Sequence, residues 1–97
     1  MKRPISPYPK DVYAHNAEIY KLMANPKRLE ILNILSKGTA TLTDLTRIVG
    51  ARKVNISQHL SILRHLKLVS VIRRSKEVYY AISDPKIVTP CEIFKNL

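Results

Sequence analysis

The apolar residues flanking Gly50 restrict this chain more than any other feature. Leu42, Leu45, Ile48 and Val49 recur at helical spacing before it, and Ile56, Leu60 and Leu63 recur at i, i+4, i+7 after it. Two short amphipathic helices joined by a glycine turn form a helix-turn-helix, here over about residues 41–66. The period then changes to two. Val69, Val71 and Arg73 alternate with Ser70, Ile72 and Arg74, and Val78, Tyr79, Tyr80 and Ile82 follow after Ser75-Lys76. These β-formers predict a two-stranded hairpin whose turn lacks the glycine that a tight connection favours.

The flanking segments complete the plan. Asp11 can cap a first helix running to about Ala24, apolar on more than one face, which in so small a domain suggests a partner subunit. Asn25-Pro26 restarts the chain as N-cap and first helical residue. Leu29, Ile31, Leu32, Ile34 and Leu35 are too many for one stripe, so the second helix belongs in the centre of the core, ending at Lys37-Gly38. Thr41-Leu42-Thr43-Asp44 reads as a capping box with Asp in the third place. Ser83 or Asp84 with Pro85 starts a last short helix that Pro90 interrupts or delays. The expected fold is mainly α with a small β-hairpin: a winged helix-turn-helix of about five helices and a two-stranded wing. Residues 1–10, with Pro4, Pro7 and Pro9, form an extended basic arm, and residues 11–97 form one DNA-binding and dimerisation domain.

Charge points to the partner. The 97 residues carry a formal net charge of +10. Between Asp44 and Glu77 there is no acidic residue, while Arg47, Arg52, Lys53, Arg64, Lys67, Arg73, Arg74 and Lys76 all fall there. A basic stretch is often only a solvated surface, but one without a counter-charge suits a phosphate-facing surface. The major groove of double-stranded DNA accepts one α-helix, which needs an apolar face for docking and a small polar face for bases. Ile56, Leu60 and Leu63 supply the first; Asn55, Ser57, Gln58 and Ser61 point the other way. Gln58 can pair with adenine in bidentate fashion, and Ser57 can donate to a base or a phosphate. Arg52 and Lys53, at the helix start, reach phosphates or a guanine. Arg73, Arg74 and Lys76 at the wing tip suit the flanking minor groove or backbone.

Asn25-Pro26-Lys27-Arg28-Leu29-Glu30-Ile31-Leu32, then Asn55-Ile56-Ser57-Gln58-His59-Leu60-Ser61-Ile62-Leu63-Arg64, then Leu68-Val69 and Val78-Tyr79-Tyr80-Ala81-Ile82-Ser83-Asp84-Pro85, resemble the ArsR/SmtB family of bacterial and archaeal repressors. The resemblance covers about residues 17–87. It implies a homodimer built from the first and last helices, an inverted-repeat operator, and base reading from Lys53, Val54, Ser57 and Gln58. Arg52 stands where the family usually has a capping serine, which lets the helix start slide toward Asn55. Metal-sensing relatives carry a cysteine pair where Thr41 and Thr43 stand, and Thr hydroxyls are poor ligands for a soft metal. A second family site needs acids and histidines on the last helix, but no His follows His65. No metal site or other cofactor is expected, and the effector is unknown. Sulfur-sensing relatives use a cysteine pair; Cys91 is the single cysteine, with Asn33 near the partner position.

Cys91 is a candidate redox residue or interchain disulfide, against the plainer reading of a small, partly buried apolar side chain. His59, beside the Ile56/Leu60 stripe, reads as a core-edge histidine, and His15 as a surface one. One of Tyr79 and Tyr80 belongs in the core. Tyr8, Tyr13 and Tyr20 read as dimer or core aromatics. No nucleophile-base pairing or phosphate-cradling glycine loop is present, so the chain is read as a non-enzyme. No apolar run approaches the roughly 18 residues of a membrane span, and Met1 to Lys10 lacks the features of a secretory signal, which predicts a cytoplasmic protein. The expected function is an operator-specific regulator and, as the resemblance implies, a repressor. The alternatives are an architectural DNA-binding protein of low sequence specificity and a protein-interaction module.

Overall fold

A computed structural model describes residues 3–97. It contains helices α1 (Lys10–Met23), α2 (Pro26–Leu35), α3 (Leu42–Val49) and α4 (Lys53–His65), strands β1 (Val69–Arg74) and β2 (Glu77–Ile82), a 3-10 turn (Pro85–Val88) and helix α5 (Thr89–Phe94). Five helices and a two-stranded wing are the expected winged helix-turn-helix.

Local chemistry sets most of the boundaries. The Asn25 side chain accepts hydrogen bonds from the amides of Lys27 and Arg28, and Pro26 occupies the first helical position, where its missing N–H costs nothing. At α3 the expected capping box is complete. Asp44 N–H donates to Thr41 Oγ1 and Thr41 N–H donates to Asp44 Oδ2, both at 3.1 Å. Gly50 ends α3 at φ 75°, a left-handed conformation that side-chain-bearing residues resist. The wing turns at Ser75-Lys76 with Ser75 at φ 55°, so serine adopts the backbone that glycine would have eased.

Several boundaries differ from expectation. Asp11 does not cap α1. The helix begins two residues earlier, with Pro9 at the N-cap lending its carbonyl to Val12 N–H and Asp11 left inside the first turn. Proline holds φ near −65° and so settles the helix entry without a side-chain cap. Helix α2 stops at Leu35, three residues before Gly38, in turn bonds to Ser36 and Lys37. Helix α4 does not slide toward Asn55. It starts at Lys53 although Arg52 makes no capping bond, because burial of Ile56 and backbone bonds from Asn55 and Ile56 to the Arg52 carbonyl hold the first turn. The last segment follows expectation: Asp84 caps a start at Pro85, but that start is a 3-10 turn, and the α-helix is delayed to Thr89 with Pro90 in its first turn.

The core joins Ile31, Leu32 and Leu35 of α2, Leu45 of α3, Ile56, Leu60 and Leu63 of α4, and Val69, Ala40 and Met23. Thus α2 is the central helix its composition predicted. Ile48 is a correction: it is 46% exposed, because α3 is only eight residues long and Leu42, Leu45 and Val49 already fill its inward stripe. Tyr80 is the aromatic packed on the core, and it also ties the wing to the helices by paired backbone bonds with Ala40. Helix α1 is the outlier. Only Met23 of its 14 residues is buried, and Tyr13, Tyr20 and Leu22 are exposed. The radius of gyration is 15.9 Å, against about 12.5 Å for a compact chain of this length, and the described residues extend over 59 × 29 × 21 Å.

Candidate nucleic-acid interface

Helix α4 turns two unlike faces outward and inward. Val54, Ser57, Gln58 and Ser61 follow one another at i, i+3, i+4, i+7 and are all exposed, while Ile56, Leu60 and Leu63 are at most 1% exposed on the opposite side. Asn55 flanks the outward face, and Arg52 and Lys53 stand exposed at its N-terminal end. Among the described residues, no hydrogen bond or ion pair engages the side chains of Arg52, Lys53, Asn55, Ser57, Gln58 or Ser61. These donors and acceptors are held by the helix yet unspent, which is what a base-reading or phosphate-binding surface requires. The first turn of α4 also leaves backbone N–H groups pointing outward, a local preference for anions.

The wing supplies three more cations. Arg73, Arg74 and Lys76 are exposed and unpaired among the described residues. Arg73 stands opposite Val78 and Arg74 opposite Glu77. Strand alternation sends Arg73 to the face of Val69 and Val71, and Arg74 to the face of Ile72 and Tyr79. The two arginines therefore leave the wing from opposite faces, a detail that the run Arg73-Arg74-Ser75-Lys76 hides. Sequence reasoning also left Arg47 out of the site. It is exposed at the end of α3 and, among the described residues, pairs with Asp44 alone, at 3.8 Å, a weak surface pair. Its place in the acid-free span was the signal that could have found it.

Acids mark the edge of this surface. Thr41, Leu42, Thr43, Asp44, Lys53, Glu77, Val78 and Tyr79 line an open depression of about 500 Å³ between the starts of α3 and α4 and the wing. The Thr41 backbone amide, then its hydroxyl, hold Asp44 below the ordinary carboxylate value. Tyr79 donates its hydroxyl to Glu77 Oε2 at 2.6 Å, and that bond, with the carboxylate's charge, raises the tyrosine above its ordinary value. Thr41 spends its hydroxyl on the capping box, and among the described residues no group of three or more His, Cys, Asp or Glu stands where it could hold a metal ion.

The remaining candidates lie elsewhere. His59, the expected core-edge histidine, is half-buried and accepts a hydrogen bond at Nδ1 from Arg28 Nε at 3.1 Å. Partial burial, then the charges of Arg28 and Lys27, hold it below the ordinary imidazole value. His15 is exposed on α1. Cys91 is half-buried on α5, and Asn33 does stand beside it, its Nδ2 donating to Sγ at 3.4 Å. Tyr8 and Tyr13 pack edge to face at the base of the arm and remain largely exposed, with Tyr20 farther along α1. No described helix is long and apolar enough to cross a membrane.

Known proteins share this arrangement. The family profile described as "Bacterial regulatory protein, arsR family" matches residues 25–71, from the cap of α2 into β1. The chain is 38% identical over 73 residues to the transcriptional repressor PagR of Bacillus anthracis, covering 74% of this chain and 73% of that one. It is 37% identical over 92 residues to the nodulation protein NolR of Rhizobium meliloti, covering 91% and 75%. Among solved structures, NolR from Sinorhizobium fredii superposes with a TM-score of 0.79 at 34% identity, covering 98% of this chain and 95% of that one. With the helix-turn-helix, the wing and the unspent basic face already in place, these likenesses lead to one conclusion: the chain belongs to the ArsR family and is a DNA-binding regulator of transcription.

Proposed function

We propose that two copies of the chain associate through α1 and α5, present the outward faces of their α4 helices and wings to an inverted-repeat operator, and repress transcription from it. The observation that carries this reading is the row Val54, Ser57, Gln58, Ser61, exposed at one helical face within a span that holds no acid. In this reading Ser57 and Gln58 read base edges, with Val54 against a thymine methyl. Asn55 and Ser61 flank them, and Arg52, Lys53, Arg73, Arg74 and Lys76 neutralise phosphates. Association is supported by exposed Tyr20 and Leu22 on α1 and Ile93 and Phe94 on α5, apolar surface that a monomer would leave in water. PagR's description as a transcriptional repressor supports repression. Thr41 and Thr43 favour a signal other than a thiolate-bound metal. Action on DNA fits a cytoplasmic protein.

Selection from a random duplex pool with the purified chain tests the reading. The expected outcome is enrichment of a two-fold symmetric sequence with half-sites about one DNA turn apart. Tight binding with no enrichment would instead mean a low-specificity DNA coat. Failure to bind any duplex at low salt overturns both.

A further inference from the structure

Arg28 joins three helices through one guanidinium. It stands in the first turn of α2, where its own amide donates to the Asn25 cap. Its Nη1 donates to the Leu22 carbonyl at 2.7 Å, one of the last four carbonyls of α1, which that helix leaves without a donor. Its Nε donates to His59 Nδ1 on α4 at 3.1 Å. His59 follows Gln58 directly and lies where the buried stripe of α4 meets its outward face. Since Nδ1 accepts, the ring is neutral with its proton on Nε2.

We propose that Arg28 is a positioning residue for DNA recognition: through His59 it fixes the rotation of α4, and with it the direction of Ser57 and Gln58, relative to α1. The inference rests on the reading of α4 as the base-reading helix. The close-packed stripe of Ile56, Leu60 and Leu63 sets the rotation of α4 coarsely, and a directional contact at its edge narrows the small turns that apolar packing still permits. A charge-assisted hydrogen bond has a direction as well as a distance, and the planar guanidinium fork sets two such directions at once. One is anchored on α1, the helix proposed to meet the second copy, so the contact links the subunit interface to the groove-facing side chains. The charged groups facing His59 are Arg28 and Lys27 of α2. Its neighbours one turn away on α4, namely Asn55, Ile56, Ile62 and Leu63, carry no charge, and α1 contributes only the Leu22 carbonyl to the Arg28 cluster. Protonation of His59 turns the acceptor into a donor and sets two cations against each other, which releases the joint.

The test uses the full chain and a duplex that the wild-type protein enriches from a random pool, with a scrambled duplex for comparison. Specificity ratio, salt slope and melting temperature are measured for Arg28→Met, His59→Leu and His59→Asn. Asn places its Oδ1 where Nδ1 stood and keeps an acceptor. Arg28→Met and His59→Leu are expected to lower the specificity ratio about tenfold with the salt slope unchanged, while His59→Asn retains the ratio. The wild-type ratio falls as pH is lowered past the ordinary imidazole range, and the His59→Asn ratio does not. An unchanged ratio in Arg28→Met and His59→Leu overturns the inference. So does an equal loss on both duplexes with the slope smaller by about 0.9, which marks Arg28 as a phosphate contact. Should Arg28→Met melt too low to assay, the contrast between His59→Leu and His59→Asn decides. A wild-type chain that enriches nothing overturns the α4 reading along with this inference; enrichment followed by unaltered variant ratios overturns the inference alone.

Discussion

Gln58→Ala separates recognition from folding because the side chain does nothing inside the protein. It is exposed, on the face opposite Ile56, Leu60 and Leu63, and its carboxamide has no partner among the described residues. The substitution therefore changes only helix propensity, in alanine's favour by a few tenths of a kcal/mol, and the melting temperature should shift by no more than about 2 °C. Binding behaves differently. A bidentate contact to adenine contributes about 1–3 kcal/mol of discrimination, so affinity for the selected duplex should fall about 5- to 150-fold per half-site. Gln58 carries no charge, so the slope of log K against log salt should not move, whereas Lys53→Gln should reduce it by about 0.9. Fluorescence anisotropy at several salt concentrations measures each quantity, using the selected duplex and one with the candidate adenine replaced. The reasoning is refuted if Gln58→Ala weakens both duplexes equally, or if it lowers the melting temperature by several degrees.

Other substitutions probe the frame that holds α4. Gly50→Ala should cost about 1 kcal/mol in thermal unfolding, from the left-handed φ of 75° alone, because an added Cβ meets nothing within 4 Å. Thr41→Val should cost about 1 kcal/mol by removing the hydroxyl that caps α3, read from the same melts. Asp44 has a lowered value in the folded state, so its stabilising effect is present above its unfolded value of about 3.8 and is lost as pH falls through the folded one. Wild type should lose its advantage over Asp44→Asn across that acid window, and a constant difference down to pH 2 would contradict this. Tyr20→Glu should shift the mass measured by light scattering from dimer toward monomer and weaken operator binding, because a carboxylate would be buried at the proposed α1/α5 contact.

What the sequence revealed depended on how local the cause was. The Asn25-Pro26 start, the Thr41–Asp44 box and the Gly50 stop are each decided within four residues, and each was readable. The α4 stripe was readable because three buried side chains at helical spacing have no competing explanation. Ile48 misled because periodicity does not say how many members of a stripe a short helix can bury. Asp11 misled because Pro9, a residue usually read as a breaker, settles the helix entry by its fixed φ. Within the candidate site, residue identities were legible, but partnerships were not. The Arg28–His59 bond spans 31 positions, so only the fold brings the pair together; the Asn33–Cys91 contact, across 58, was anticipated through the family resemblance alone. The opposite facing of Arg73 and Arg74 needed the strand register.

The most direct test of the account is a map of the DNA-contacting surface. Backbone amide NMR spectra of the chain, recorded with and without its selected duplex, should show the largest shifts over residues 52–61 and 73–76, with Arg47 close behind. The outward residues of α1 and α5 should not move. Perturbations centred instead on the arm, α1 or α5, with 52–61 unmoved, would contradict the claim that α4 and the wing carry the DNA interface.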